Sequence, residues 1–285
     1  VTTPPVSTDN YCYRHPDRQS FVLCQRCGRT ICGQCQTPAP VGVHCPECVR
    51  EARGNAPRIR PQSVTAVRSM VSSGGPVVTY AIIAVTVVIW LAQLFSRGFV
   101  TNALLFYTPA ALVEPWRIVT ALFVHNTSLP SGVLHIGFNM YSLFIFGSIL
   151  EQQLGRARFA ALYFLSGIGG SLAVALLAPG TAVIGASGAI FGLLGAFFVI
   201  QRHLGGQSVQ ILVLVALNLA IGFFVPGIAW QAHVGGVVVG ALVALLLMRT
   251  RHRSKTPLQA AGLVGAAVVL VAAILLRSAS LLGVL

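Results

Sequence analysis

The stretch "VIGASGAIFG", Val183 to Gly192, places a serine flanked by glycines inside a run otherwise apolar enough to lie in a lipid bilayer. Such a string is weak by itself, because small residues also let membrane helices pack closely. Its surroundings have to decide. The chain has 285 residues, 55% hydrophobic and only 9% charged. Its mean hydropathy is +0.79, far from the balance of a water-soluble globular domain. Seven apolar stretches, at 77–95, 133–150, 159–178, 183–200, 208–226, 228–248 and 258–276, each approach the roughly 20 residues that cross a hydrocarbon core. The expected fold class is therefore an all-α polytopic membrane protein embedded in a lipid bilayer. Residues 1–76 are polar and the first apolar run is long enough to span, so no cleavable signal peptide is expected.

The formal net charge of +13 raises nucleic-acid binding as a possibility. In a lipid-embedded chain, however, basic residues mark cytoplasmic loops, and their positions matter more than their sum. Arg58, Arg60 and Arg68 precede span one; Arg156 and Arg158 separate spans two and three; Arg202 separates four and five; Arg249, Arg251, Arg253 and Lys255 separate six and seven. Opposite segments hold only Arg97, Arg117 and, near the end, Arg277. The reading is a cytoplasmic N-terminus, an extracytoplasmic C-terminus and no nucleic-acid partner.

All seven cysteines lie between Cys12 and Cys48. They fall with one histidine into four knuckles: Cys12 and His15, Cys24 and Cys27, Cys32 and Cys35, Cys45 and Cys48. Seven sulfurs and one imidazole fill two tetrahedral zinc sites without remainder, whereas an odd cysteine count suits disulfides badly. Both sites would be closed by four protein ligands, so the two ions are expected to be structural, with none used in catalysis. The spacing resembles B-box and RING-like fingers. In those, alternate pairs share an ion, which implies Cys12, His15, Cys32 and Cys35 on one and Cys24, Cys27, Cys45 and Cys48 on the other. His44, beside Cys45, reads as a bystander. The expected domains are a zinc-finger-like head at 1–50, a basic flexible linker at 51–76, a membrane core at 77–250, and a basic loop with a seventh helix at 251–285. An unidentified protein partner is expected for the head.

Polar groups inside spans are costly and invite a functional reading. His135 and Asn139 are four apart in span two and share a face; Ser187 lies near the start of span four and His233 near the start of span six. These three spans run in the same direction, so the polar groups meet at one depth in the outer half of the bilayer. A transporter would instead need a polar stripe through the bundle. Ser187 needs a base to become a nucleophile, and His233 can serve as that base. A helix N-terminus at Ser187, with His135 and Asn139, could receive a developing oxyanion. Glu114 and Glu151 lie away from this depth, so a Ser–His dyad without a third acid is expected. Gly188, Gly192, Gly236 and Gly240 recur at a spacing of four, which lets spans four and six approach.

Four ordered signatures, "PWRIVTALFVH", "HIGFN", "GASGAIFG" and "AHVGGVVVG", closely resemble the rhomboid family of intramembrane serine proteases over about residues 78–250. The resemblance implies a six-helix core, here in the bacterial seven-span form. Ser187 would be the nucleophile, His233 the base, and His135 with Asn139 the oxyanion hole. Trp116 and Arg117 would shape the first loop. It further implies transmembrane protein substrates, admitted near span five under a cap around "FFVPGIAW", and residence in the plasma membrane. The alternative is a catalytically inactive rhomboid-like chaperone or binding protein; such relatives usually lack the serine or the histidine. His125, His203 and His252 receive no role.

Overall fold

A computed structural model describes residues 10–39, 41–54, 75–205, 209–224 and 227–284. The chain divides into two compact units, Val1–Ser63 and Val64–Leu285.

The small unit carries two antiparallel ladders. β1 (Tyr11–Cys12) pairs with β2 (His15–Gln19), and β3 (Thr37–Pro38) with β4 (Val43–His44); helix α1 (Pro46–Gly54) follows. Its core is Ile31 and six cysteines, so sulfur stands where a larger domain would bury aliphatic chains. Helix α1 runs to Gly54, into the stretch read as a linker at 51–76. Residues 55–74 of that linker, including Arg58, Arg60 and Arg68, lie outside the described residues.

The large unit is helical and forms a multi-pass membrane protein. Its helices are α2 (Val77–Phe95), α3 (Phe99–Leu104), α4 (Arg117–Thr120), α5 (Ser131–Leu154, with a π-helical turn at Leu143–Gly147), α6 (Arg156–Leu177), α7 (Ser187–His203), α8 (Val209–Phe224), α9 (Trp230–Arg249) and α10 (Thr256–Leu281). Each expected span has its helix. Five are long and apolar enough to cross a membrane, whereas α7 has 17 residues and α8 has 16. The shortening of α7 has a physical cause. Val183, expected inside the span, instead pairs with Phe106 as an isolated β-bridge, N–H to carbonyl at 3.0 and 2.9 Å, and Gly185 takes φ +118°. The helix can start only at Ser187.

Helix α6 is the centre of the bundle, with 61% of its span buried against 17% for the C-terminal helix. It packs on α7 and α9 through glycines. A methyl group at Gly170 would lie 2.8 Å from Ala232 O, and one at Gly195 on α7 would lie 2.6 Å from Val237 O on α9. One at Gly236 would run into Gly188 O, and one at Gly240 into Gly192 O. Without Cβ atoms the α7 and α9 backbones touch, as close-packed membrane helices require. Outward-facing Val88, Leu212 and Val264 are exposed apolar side chains, suited to lipid.

Two polar features fix the periphery. Glu151, buried at the end of α5, accepts from the N–H groups of Val78 (2.9 Å) and Thr79 (2.7 Å) and from the Thr79 hydroxyl (2.8 Å). It thereby caps the start of α2, where backbone donors lack intrahelical partners. Helix α10 is tied at both ends: Gln259 accepts from Arg158 Nε at 2.7 Å, and the Ser278 hydroxyl accepts from Leu112 N–H (3.1 Å) and donates to Pro109 O (3.2 Å).

Candidate functional site

The glycine contacts between α7 and α9 set two side chains against each other. Ser187 Oγ and His233 Nε2 lie 2.9 Å apart, within hydrogen-bond reach. The imidazole stacks on Phe191, one turn after Ser187 on α7, with ring centroids 4.1 Å apart and planes 8° from parallel. His233 is buried and its Nδ1 has no hydrogen-bond partner among the described residues. Ser187 and His233 thus form a hydrogen-bonded pair, with the Phe191 ring lying flat against the imidazole.

His135 borders the same space. Gly185 is needed there twice, for its positive φ and for room. A methyl group on it would sit 3.3 Å from His135 Nε2 and 3.8 Å from Ser187 Oγ. The gap that glycine leaves is therefore bounded by the imidazole, the hydroxyl and the start of α7. Ser187, Gly188 and Ala189 are the first residues of α7, where N–H groups lack intrahelical acceptors. Asn139 is buried one turn beyond His135. Its Nδ2 donates to His135 O at 2.8 Å, leaving one further N–H, and its Oδ1 has no partner among the described residues.

The first loop is built around Arg117. Its guanidinium donates to Glu114 at 2.5 Å and to the carbonyls of Asn102 (2.5 Å) and Leu105 (3.0 Å). Trp116, half exposed, donates to Ala103 O at 3.3 Å. Near α9 the rings of Phe223 and Trp230 stack at 4.3 Å. Val225 and Pro226 of the expected cap lie outside the described residues.

The sequence reading gave no part in the site to Phe191, Gln93 or His125. Phe191 was legible only as a residue four after Ser187. Gln93 is buried near the end of α2. His125 is fully buried and adjoins His135 with ring centroids 5.1 Å apart.

In the small unit the four knuckles converge in two groups: Cys12, His15, Cys32 and Cys35, and Cys24, Cys27, Cys45 and Cys48. His44 is in neither. His15 Nδ1 lies 3.8, 3.4 and 3.4 Å from the sulfurs of Cys12, Cys32 and Cys35, and Cys27 Sγ lies 3.8 Å from Cys45 Sγ. All seven cysteines are free. A tetrahedral ion with metal–sulfur bonds of about 2.3 Å and metal–nitrogen bonds of about 2.1 Å spaces its ligands by about 3.6–3.8 Å. Both groups could hold a metal ion. Burial raises the Cys35 thiol, and its hydrogen bonds and crowding with Cys12 and Cys32 raise it further, to about 11. Burial also acts to raise Cys12, but backbone hydrogen bonds from Cys32 and Arg14 outweigh it and bring that thiol down to about 6.

Residues 112–250 match the rhomboid domain. YdcA of Bacillus subtilis (strain 168), named as a candidate rhomboid protease, is 34% identical over 191 residues, covering 62% of this chain and 92% of YdcA. The chain belongs to the rhomboid family. Rhomboid protease GluP of the same organism is 31% identical over 186 residues, covering 61% of this chain and 36% of GluP. RHOMBOID-like protein 6, mitochondrial, of Arabidopsis thaliana is 36% identical over 142 residues, 47% of this chain and 44% of that protein. The chain spans less than half the length of the plant rhomboid relatives it matches. The rhomboid match includes α5, α7 and α9 and so contains Ser187, His233, His135 and Asn139.

Proposed function

We propose that the chain is an intramembrane serine endopeptidase that hydrolyses peptide bonds in or near transmembrane segments of other proteins. The observation that carries this is the 2.9 Å approach of Ser187 Oγ to His233 Nε2, on two helices whose glycines bring their backbones into contact. His233 Nε2 takes the hydroxyl proton as Ser187 Oγ attacks the scissile carbonyl, then returns it to the leaving amine. Phe191 holds the imidazole plane and faces the positive charge that forms on it. The oxyanion is received in the gap at Gly185 by His135 Nε2–H and by amides of the first turn of α7, with the free N–H of Asn139 as a further donor.

The two cysteine groups are read as structural zinc sites, because thiolate and imidazole ligands at tetrahedral spacing suit that ion and leave no open position. They would supply most of the folding energy of a head with so small a core. The basic loops favour an orientation with the head in the cytoplasm, where thiols stay reduced, and the rhomboid resemblance favours the plasma membrane.

The test is cleavage of a reporter transmembrane substrate by the purified full chain in detergent. Ser187→Ala and His233→Ala should each abolish cleavage while the protein still folds. Cleavage that survives Ser187→Ala would remove the assignment, and an inert wild type would favour the rhomboid-like binding protein.

A further inference from the structure

A buried set of hydrogen bonds runs from α2 to both sides of Ser187. Gln93, 3% exposed, brackets the main chain of His125: Nε2 donates to His125 O and Oε1 accepts from His125 N–H, both at 3.0 Å, and Nε2 also donates to the Thr101 hydroxyl at 2.8 Å. One turn earlier, Trp90 Nε1 donates to Asn126 O at 2.9 Å. Residues 125–126 are thus pinned by a helix more than thirty positions earlier in the chain.

The pinned segment aims two groups at the site. His125 Nε2 faces the N–H of Ala186, the residue before Ser187, at 3.4 Å; the N–H of Asn126 faces His135 Nδ1 at 3.5 Å. Each contact fixes a proton. A ring nitrogen that faces an N–H must present its lone pair, so His135 carries its proton on Nε2 and His125 carries its own on Nδ1. The Phe123 carbonyl, 3.4 Å from His125 Nδ1, is the matching acceptor. Burial, reinforced by the adjacent His135, pushes His125 down to about 3, which keeps it neutral. His135 Nε2 is the ring atom that borders the gap at Gly185, and only as N–H can it donate there.

We infer that Gln93 and His125 are positioning residues for the Ser187 site: Gln93 holds His125 against the Ala186 peptide, and the adjoining Asn126 N–H holds His135 in the tautomer that donates from Nε2. Its kinetic consequence rests on the proteolytic reading above. The tautomers themselves do not.

The test uses the full chain, labelled with 15N-histidine and reconstituted in lipid. Nitrogen NMR should find His135 as the Nε2–H form and His125 as the Nδ1–H form, in the wild type and in Ser187→Ala alike. Gln93→Met, apolar and of similar length, should mix the His135 tautomers and lower kcat about tenfold or more with KM unchanged. His125→Leu should lower kcat likewise, and His125→Gln, which returns an acceptor near the Nε2 position, should recover most of the loss. A wild-type His135 in the Nδ1–H form would overturn the inference, as would equal losses in the Leu and Gln variants. If the variants do not fold, the wild-type spectrum alone decides. The assigned tautomers in a protein that cleaves nothing would count against proteolysis and leave the positioning intact.

Discussion

Replacing Gly236 by alanine tests whether the α7–α9 contact creates the site. Gly236 lies three residues after His233, and its added methyl would be driven into the carbonyl of Gly188, the residue after Ser187. Neither partner can yield by rotating, because the position of the methyl is fixed by its own backbone and the carbonyl is backbone. The helices must separate locally by about 1 Å, and a displacement of that size at reacting groups costs about 100-fold in rate. The 2.9 Å serine–histidine bond would then stretch beyond normal reach. Overpacking should also cost about 1–3 kcal/mol of stability. The assay is kcat for a reporter transmembrane substrate in proteoliposomes, alongside thermal unfolding in micelles. Gly265→Ala on α10 is the control, since a methyl there meets nothing within 4 Å. It should be neutral or slightly stabilising, by up to about 1 kcal/mol. A Gly236→Ala protein with wild-type kcat and unchanged unfolding would refute the reasoning.

Glu151→Ala should destabilise the membrane unit by about 2–4 kcal/mol, since it strands two backbone N–H groups and a hydroxyl at the start of α2. Glu151→Gln, which keeps one acceptor, should lose less, and unfolding curves in micelles would show the order. Phe191→Leu removes the ring stacked on His233 and should lower kcat about tenfold with KM unchanged, as expected when an imidazolium loses a facing π-system; an unaltered kcat would leave the stack as packing only. Elemental analysis should find about two zinc ions per chain, falling to about one in a Cys24→Ser, Cys27→Ser double variant. Full metal retention in that variant would dismiss the second group.

Long apolar runs made the membrane helices legible, because the bilayer demands length and hydropathy that sequence shows directly. Helix starts were less so. Val183 and Ile184 are as apolar as any span residue, yet the β-bridge to Phe106 and the positive φ of Gly185 hold them outside α7. Ser187 and His233 stood out because a hydroxyl and an imidazole sit near the starts of parallel spans, beside glycines at helical spacing. Glu151 was read only as a span end, since the amides it caps are more than seventy residues earlier. His125 closes the signature "PWRIVTALFVH" yet received no role. Its partners, Gln93 and Ala186, are distant in sequence, and a single loop histidine carries no period. Pairwise knuckle spacing made the cysteine groups legible, while the extension of α1 into the expected linker left no mark in composition.

The central claim is that His233 activates Ser187, and it can be read without knowing any natural substrate. The full-length protein in detergent is treated with a small fluorophosphonate, and the modified residue is located by peptide mass spectrometry. A single adduct on Ser187 that disappears in a folded His233→Ala protein is the predicted result. No adduct on Ser187, or one that forms as fast without His233, would contradict the account.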